Sequence, residues 1–130
     1  MNFNLKANNN VYGKIPEQIG LLDKLQIIQL YNNQITGHIP SSIWRLRKIE
    51  IVDLFNNLIS GTLSTEMTLS TTLKQVFLSE NRMRGSIPSE IGTMSSLVDF
   101  WCARNTLTGT IPSEIGLMSA LSKKSDALCI

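Results

Sequence analysis

Apolar residues fall along this chain in triplets: Leu25, Ile28 and Leu30; Ile49, Val52 and Leu54; Leu73, Val76 and Leu78; Leu97, Phe100 and Cys102. The last two members of each triplet alternate with residues of another face, which is the period of a strand. That alternation predicts strands near 27 to 31, 51 to 55, 75 to 79 and 99 to 103. Three residues after each triplet stands an asparagine, Asn33, Asn57, Asn81 or Asn105, and then a glycine. Gly13, Gly37, Gly61, Gly85 and Gly109 keep a constant separation of 24 residues. Internal repetition at such a period outranks every other sequence signal.

The same step carries Ile15, Ile39, Leu63, Ile87 and Ile111, then Pro16, Pro40, Pro88 and Pro112, then Ile19, Ile43, Met67, Ile91 and Ile115. The unit reads LxxLxLxxNxLxGxIPxxIGxLxx. A strand that returns in the same direction in every unit must pair with its neighbours in parallel, at roughly 4.8 Å, so five units stack over about 20 Å. Each Asn amide can turn to the backbone of its own and adjacent loops, forming a structural ladder of Asn8, Asn33, Asn57, Asn81 and Asn105. Gly relieves crowding in the bend, and Pro opens a short helical turn such as Pro88 to Gly92 or Pro112 to Gly116. Glu66, Glu90 and Glu114 stand near the N-termini of those turns, where a carboxylate meets exposed amides; this favours a structural column over a cation site.

Departures from the unit are local. In the first repeat Phe3, Leu5 and Asn8 fit only if one residue is inserted, with Asn9 and Asn10 as the bulge. The third repeat carries Ser64 in place of Pro and Ser70 in place of an apolar residue, which predicts a looser outer side. After Leu121, Lys124 and Asp126 occupy apolar strand positions. Residues 1–120 are therefore expected to form one repeat domain of about five units, the first partial, and 121–130 a degraded repeat or disordered tail. Solenoids need polar terminal units. None is visible at either end, so the chain reads as a fragment of a longer protein or as a module whose uncapped ends are covered by association.

Composition narrows the function classes. The formal net charge is +2, with both signs interspersed, so no nucleic-acid patch is implied. Every apolar stretch is interrupted, as by Asp23 and Lys24, so no membrane span is expected in this chain. The first ten residues lack the apolar core of a secretory signal. Cys102 and Cys129 are too few for a disulfide framework and lack zinc spacing; Cys102, at a core strand position, is expected to be a small buried hydrophobe. The glycines are spaced by the repeat rather than clustered as a phosphate cradle requires, so no nucleotide loop, metal or other cofactor is implied. There is no Asn-x-Ser/Thr glycosylation site.

The segments GKIPEQIG, GSIPSEIG and GTIPSEIG, together with the Asn column, resemble the plant-specific subclass of leucine-rich repeats over nearly the whole chain. That subclass includes receptor-like kinase ectodomains, receptor-like proteins and polygalacturonase inhibitors, mostly facing the cell exterior. The resemblance implies an α/β fold: a leucine-rich repeat solenoid coiled right-handedly, with a parallel sheet on the concave face and short helical turns on the convex side. It implies recognition rather than catalysis, and an extracellular or cell-surface place in a longer parent.

Residues between the buried strand positions point to the other face of the sheet, the concave and usual ligand face in that family. There lie Ile27, Gln29 and Tyr31; Ile51, Asp53 and Phe55; Gln75, Phe77 and Ser79; Asp99, Trp101 and Ala103. The candidate binding set is Tyr31, Asp53, Phe55, Lys74, Phe77, Asp99, Trp101 and Arg104, an aromatic stripe flanked by charge. Strand propensity alone also enriches aromatics, so packing is the plain alternative. His38 sits on a loop with no nucleophile or carboxylate brought to it by the repeat, and reads as a surface residue. Trp44 replaces the glycine of Gly20, Gly92 and Gly116 and reads as packing over the outer layer. The expected function is a non-catalytic module binding a protein, peptide or glycan. The alternative is a structural or inhibitory protein resembling polygalacturonase inhibitors, in which the charged residues would outweigh the aromatics.

Overall fold

Each apolar triplet delivers one short strand, and the strands align in the register that the period demands. In the computed structural model, which describes residues 2–4 and 9–122, β1 (Asn2–Asn4), β3 (Ile27–Gln29), β5 (Ile51–Asp53), β7 (Gln75–Phe77) and β9 (Asp99–Trp101) form one parallel sheet in that order. Ile28, Val52, Val76 and Phe100 stand in one row across it. The strands begin where the alternation predicts and end two residues sooner. Parallel bonding nevertheless runs on, from Leu30 N–H to Asp53 O at 2.8 Å and from Asn32 N–H to Phe55 O at 2.9 Å. It stops at a column of left-handed residues, Asn32, Asn56, Glu80 and Arg104, with φ between 51° and 59°.

A second set of strands was not anticipated. β2 (Tyr12–Lys14) pairs with β4 (Gln34–Thr36), and β6 (Ser60–Gly61), β8 (Arg82–Gly85) and β10 (Thr106–Leu107) form a three-stranded parallel sheet. The periodic glycines sit at or just beyond these strands with φ of 80° to 98°, a region that only glycine enters without strain. At Gly61 an added Cβ would also meet the His38 ring at 3.0 Å, so His38 packs along the stack although it is exposed.

The helical turns are of the tight 3-10 type: Glu17–Leu21, Ser41–Arg45, Thr65–Leu69, Ser89–Thr93 and Ser113–Leu117. Proline precedes four of them at the cap position. In the third, Ser64 instead accepts a hydrogen bond from Glu66 N–H at 3.1 Å, so the turn survives the loss of proline. Glu66 in turn pairs with Arg45 at 3.0 Å across the repeats.

Every triplet residue from Leu25 to Cys102 is at most 3% exposed, which places one continuous core between sheet and turns. The Cys102 sulfur is held in a disulfide, so this core residue is a covalent cross-link as well as the packed hydrophobe its position implies. Cys129 and Asn8 lie outside the described residues, as do 123–130 and hence most of the expected tail. Trp44 is buried, as packing over the outer layer requires. It lines a pocket of about 310 Å³ with Leu46, Leu69, Ser70 and Thr72, because Ser70 stands where Leu22, Leu46, Met94 and Met118 fill the other repeats. Trp44 Nε1 and Ser70 Oγ are both buried there with no hydrogen-bond partner among the described residues.

The asparagine ladder is continuous over the described repeats. Asn57 Nδ2 donates to Leu30 O, Leu54 O and Phe55 O at 2.9, 3.2 and 3.3 Å, while its Oδ1 accepts from Ile35 N–H at 3.0 Å. Asn81 repeats the pattern one unit on, accepting from Ile59 N–H at 2.9 Å. Asn33 and Asn105 flank these two, accepting from Val11 N–H and Met83 N–H. Buried backbone groups in the bends are thereby satisfied.

Candidate functional site

The open face of the five-stranded sheet is where side chains not committed to the core accumulate. Asp53, Phe77 and Trp101 occupy one row across β5, β7 and β9. Tyr31 and Phe55 stand two residues beyond the ends of β3 and β5, and the ladder fixes them there: Asn33 Nδ2 holds Tyr31 O at 3.0 Å, and Asn57 Nδ2 holds Phe55 O. These five residues line a recess of about 230 Å³. Phe77 and Trp101 meet edge to face, with ring centres 5.0 Å apart and planes at 78°. Trp101 remains 43% exposed, which leaves much of the indole free for a contact. The expected aromatic platform is thus assembled, with its rings forming the walls of a recess around a carboxylate.

The charged candidates divide. Lys74 Nζ is 2.7 Å from Glu50, and Arg104 pairs with Glu80, so both cations have an acidic partner one repeat away. Asp99 accepts a hydrogen bond from Gln75 Nε2 at 2.8 Å. Asp53 accepts only the Phe55 N–H, at 3.2 Å, among the described residues. Burial in the recess pushes its carboxyl above the usual carboxylate range, and the Phe55 amide only partly opposes this. Lysine 74 likewise holds the Glu50 carboxyl below that range, through a hydrogen bond and its charge. Ser79, expected on this face, is buried, and Ala103 offers only a methyl group.

Glu50 was not among the sequence candidates, although the signal was present. Glu50 and Lys74, Glu80 and Arg104, and Gln75 and Asp99 are each separated by one repeat, so the period that reveals the fold also names the pairs. A larger apolar pocket of about 350 Å³ opens at the first repeat between Tyr12, Pro16, Leu22, Leu30 and Ile35. Residues 5–8, just before it in the sequence, lie outside the described residues, and no site is assigned there. No group of three or more potential metal ligands and no helix long and apolar enough to cross a membrane occurs among the described residues.

A family model described as Leucine Rich Repeat matches residues 24–46 and 72–94. Comparison with curated proteins finds no match. Among solved structures, the plant peptide hormone receptor RGFR1 in complex with RGF2 is similar, with 36% identity and a TM-score of 0.84 over 86% of this chain and 18% of the receptor chain. The ectodomain of the Arabidopsis thaliana receptor kinase GASSHO1/SCHENGEN3, in complex with CASPARIAN STRIP INTEGRITY FACTOR 2, has 36% identity and a TM-score of 0.84, over 88% of this chain and 14% of its own. The BIR2 ectodomain from Arabidopsis thaliana has 29% identity and a TM-score of 0.85, over 98% of this chain and 66% of its own. The chain therefore spans less than one fifth of the length of the first two matched structures. Its parallel strands, 3-10 turns, asparagine ladder and these likenesses together make the chain a member of the plant-type leucine-rich repeat family.

Proposed function

We propose that the chain is a non-catalytic recognition module, the ligand-sensing part of a receptor-like protein facing the cell exterior in a longer parent, and that it binds a peptide or protein through the open face of its main sheet. The observation that carries this reading is the recess formed by Tyr31, Asp53, Phe55, Phe77 and Trp101. Fixed aromatic walls lose little conformational entropy on contact, and a partly exposed Trp beside a second ring is the type of residue that dominates interfaces. Two of the matched structures are receptors in complex with RGF2 and with CASPARIAN STRIP INTEGRITY FACTOR 2, which supports a ligand on the same fold. Lys74 and Arg104, beside the strands, already pair with Glu50 and Glu80, which weighs against the charge-led docking of an inhibitor.

The test is selection of binders from a bead library of N-acetylated, C-amidated decapeptides, followed by calorimetry on resynthesised hits. Trp101→Ala should weaken a selected peptide by about 30-fold, the equivalent of about 2 kcal/mol. His38→Ala should leave affinity unchanged. Equal affinity for wild type and a folded Trp101→Ala protein would move the binding surface elsewhere.

A further inference from the structure

The recess holds a carboxylate that the fold itself does not use. Among the described residues, four acids lie on or beside the strand face, Glu50, Asp53, Glu80 and Asp99, with two bases, Lys74 and Arg104. Glu50 and Glu80 are each ion-paired, and Asp99 takes an amide donor from Gln75. Asp53 alone among these four has neither a cation nor a side-chain donor among the described residues, and it is half-buried among rings. A half-buried carboxylate without a counter-charge is unfavourable for folding. A ligand cation would reverse that.

From this geometry we infer that the recess takes the cationic side chain of a peptide, an arginine in preference to a lysine, with its charge against Asp53 and its plane against the rings of Tyr31, Phe55, Phe77 and Trp101. This deepens the recognition reading and rests on it. The size fits one side chain: about 230 Å³ falls below the roughly 300–1,000 Å³ of sites that enclose whole small molecules. The perpendicular Phe77 and Trp101 rings present an aromatic face to a cation, whose attraction to the ring quadrupole strengthens as water is excluded. A guanidinium stacks on such faces and can meet a carboxylate with two parallel N–H donors, which an ammonium cannot. Asp53 keeps Oδ2 and a second lone pair on Oδ1 for this purpose, because Phe55 N–H takes only one acceptor site of Oδ1.

The same peptide library decides the matter. Selected decapeptides should share a cation at one position. Replacing that arginine by citrulline, which keeps the shape and removes the charge, should weaken binding at least tenfold, and lysine should fall between. Asp53→Asn retains an acceptor for Phe55 N–H and should fold normally; it should weaken the arginine peptide about as much as citrulline does. On Asp53→Asn the citrulline peptide should lose little more, because both changes remove one interaction. Hits without a cation, an unweakened citrulline peptide, or losses that simply add would each overturn the inference. If such hits still lose affinity to Trp101→Ala, recognition on this face stands and only the cation falls. If no peptide is selected, or the hits bind Trp101→Ala as tightly as wild type, both readings fall.

Discussion

Asn57→Ala tests the ladder on which the sheet and the recess both depend. Removing the amide takes one acceptor and three donor contacts from the backbone, but these losses are unequal. Leu30 O keeps Asn33 Nδ2 at 3.0 Å, Leu54 O keeps Asn81 Nδ2 at 2.9 Å, and Phe55 O keeps Asn32 N–H at 2.9 Å. The Ile35 N–H has no such reserve: its neighbour Gln34 bonds across to Val11, so the Ile35 amide points the other way, into a buried site served by Asn57 Oδ1. One buried donor left unsatisfied costs about 1–3 kcal/mol, and the side chain itself is 5% exposed, so water has little access to repair it. A destabilisation of about 2 kcal/mol is expected. Asn33→Ala should cost about half as much, because Asn33 and Val11 are only half-buried and solvent can replace the lost acceptor. Urea unfolding of each variant, at unchanged m-value, gives the comparison. A cost for Asn57→Ala no greater than for the exposed Ser86→Ala, or an equal cost for Asn33 and Asn57, would refute the assignment of the loss to the orphaned Ile35 amide.

Two further substitutions probe the two pockets. Asp53→Asn should stabilise the fold at neutral pH by about 0.5 kcal/mol or more, as substitutions at binding sites often do. The sign follows from burial. It raises the folded-state value of Asp53, so the ionised form penalises the native state fully above that value, and the advantage of Asn should shrink as pH falls and vanish below the ordinary carboxyl range. The charges nearest it in register, Glu50 with Lys74, Glu80 with Arg104, and Asp99, are identical in both proteins, so the difference between their urea midpoints from pH 3 to 8 isolates Asp53; a flat difference would refute it. Ser70→Leu should fill the outer pocket beside Trp44 and stabilise by about 1 kcal/mol, since it restores the residue of Leu22 and Leu46 and removes an unsatisfied hydroxyl. A lower melting temperature would show that the Trp44 ring needs the space.

Much of the fold was legible because a repeat constrains each interior residue twice, by the unit before and the unit after. Ile28, Val52, Val76 and Phe100 share a row and a chemistry, and their burial follows from the sequence alone. The second set of strands was equally written, in Ile35, Met83 and Leu107 between polar neighbours, but two to four residues of alternation are too short a strand signal when a turn is expected there. Size exchange was harder to see. Trp44 and Ser70 each break their own column, and only the packing of adjacent turns shows that the two breaks share one pocket.

The candidate site shows the opposite logic. The row Gln29, Asp53, Phe77, Trp101 crosses the sheet beside the core row and repeats no residue type, since nothing inside the solenoid requires one. Where a face position is used structurally, its partner stands one repeat away, as Lys74 does for Glu50 and Arg104 for Glu80. Asp53 has Gln29 and Phe77 in those places, so its lack of a cation was readable from the period. Its depth was not, because that depends on how far the rings of Phe55, Phe77 and Trp101 lean over the strand. A residue that breaks the column and finds no counter-charge in register is therefore where the proposed ligand contact falls, and Asp53 is the acid in that position on this face.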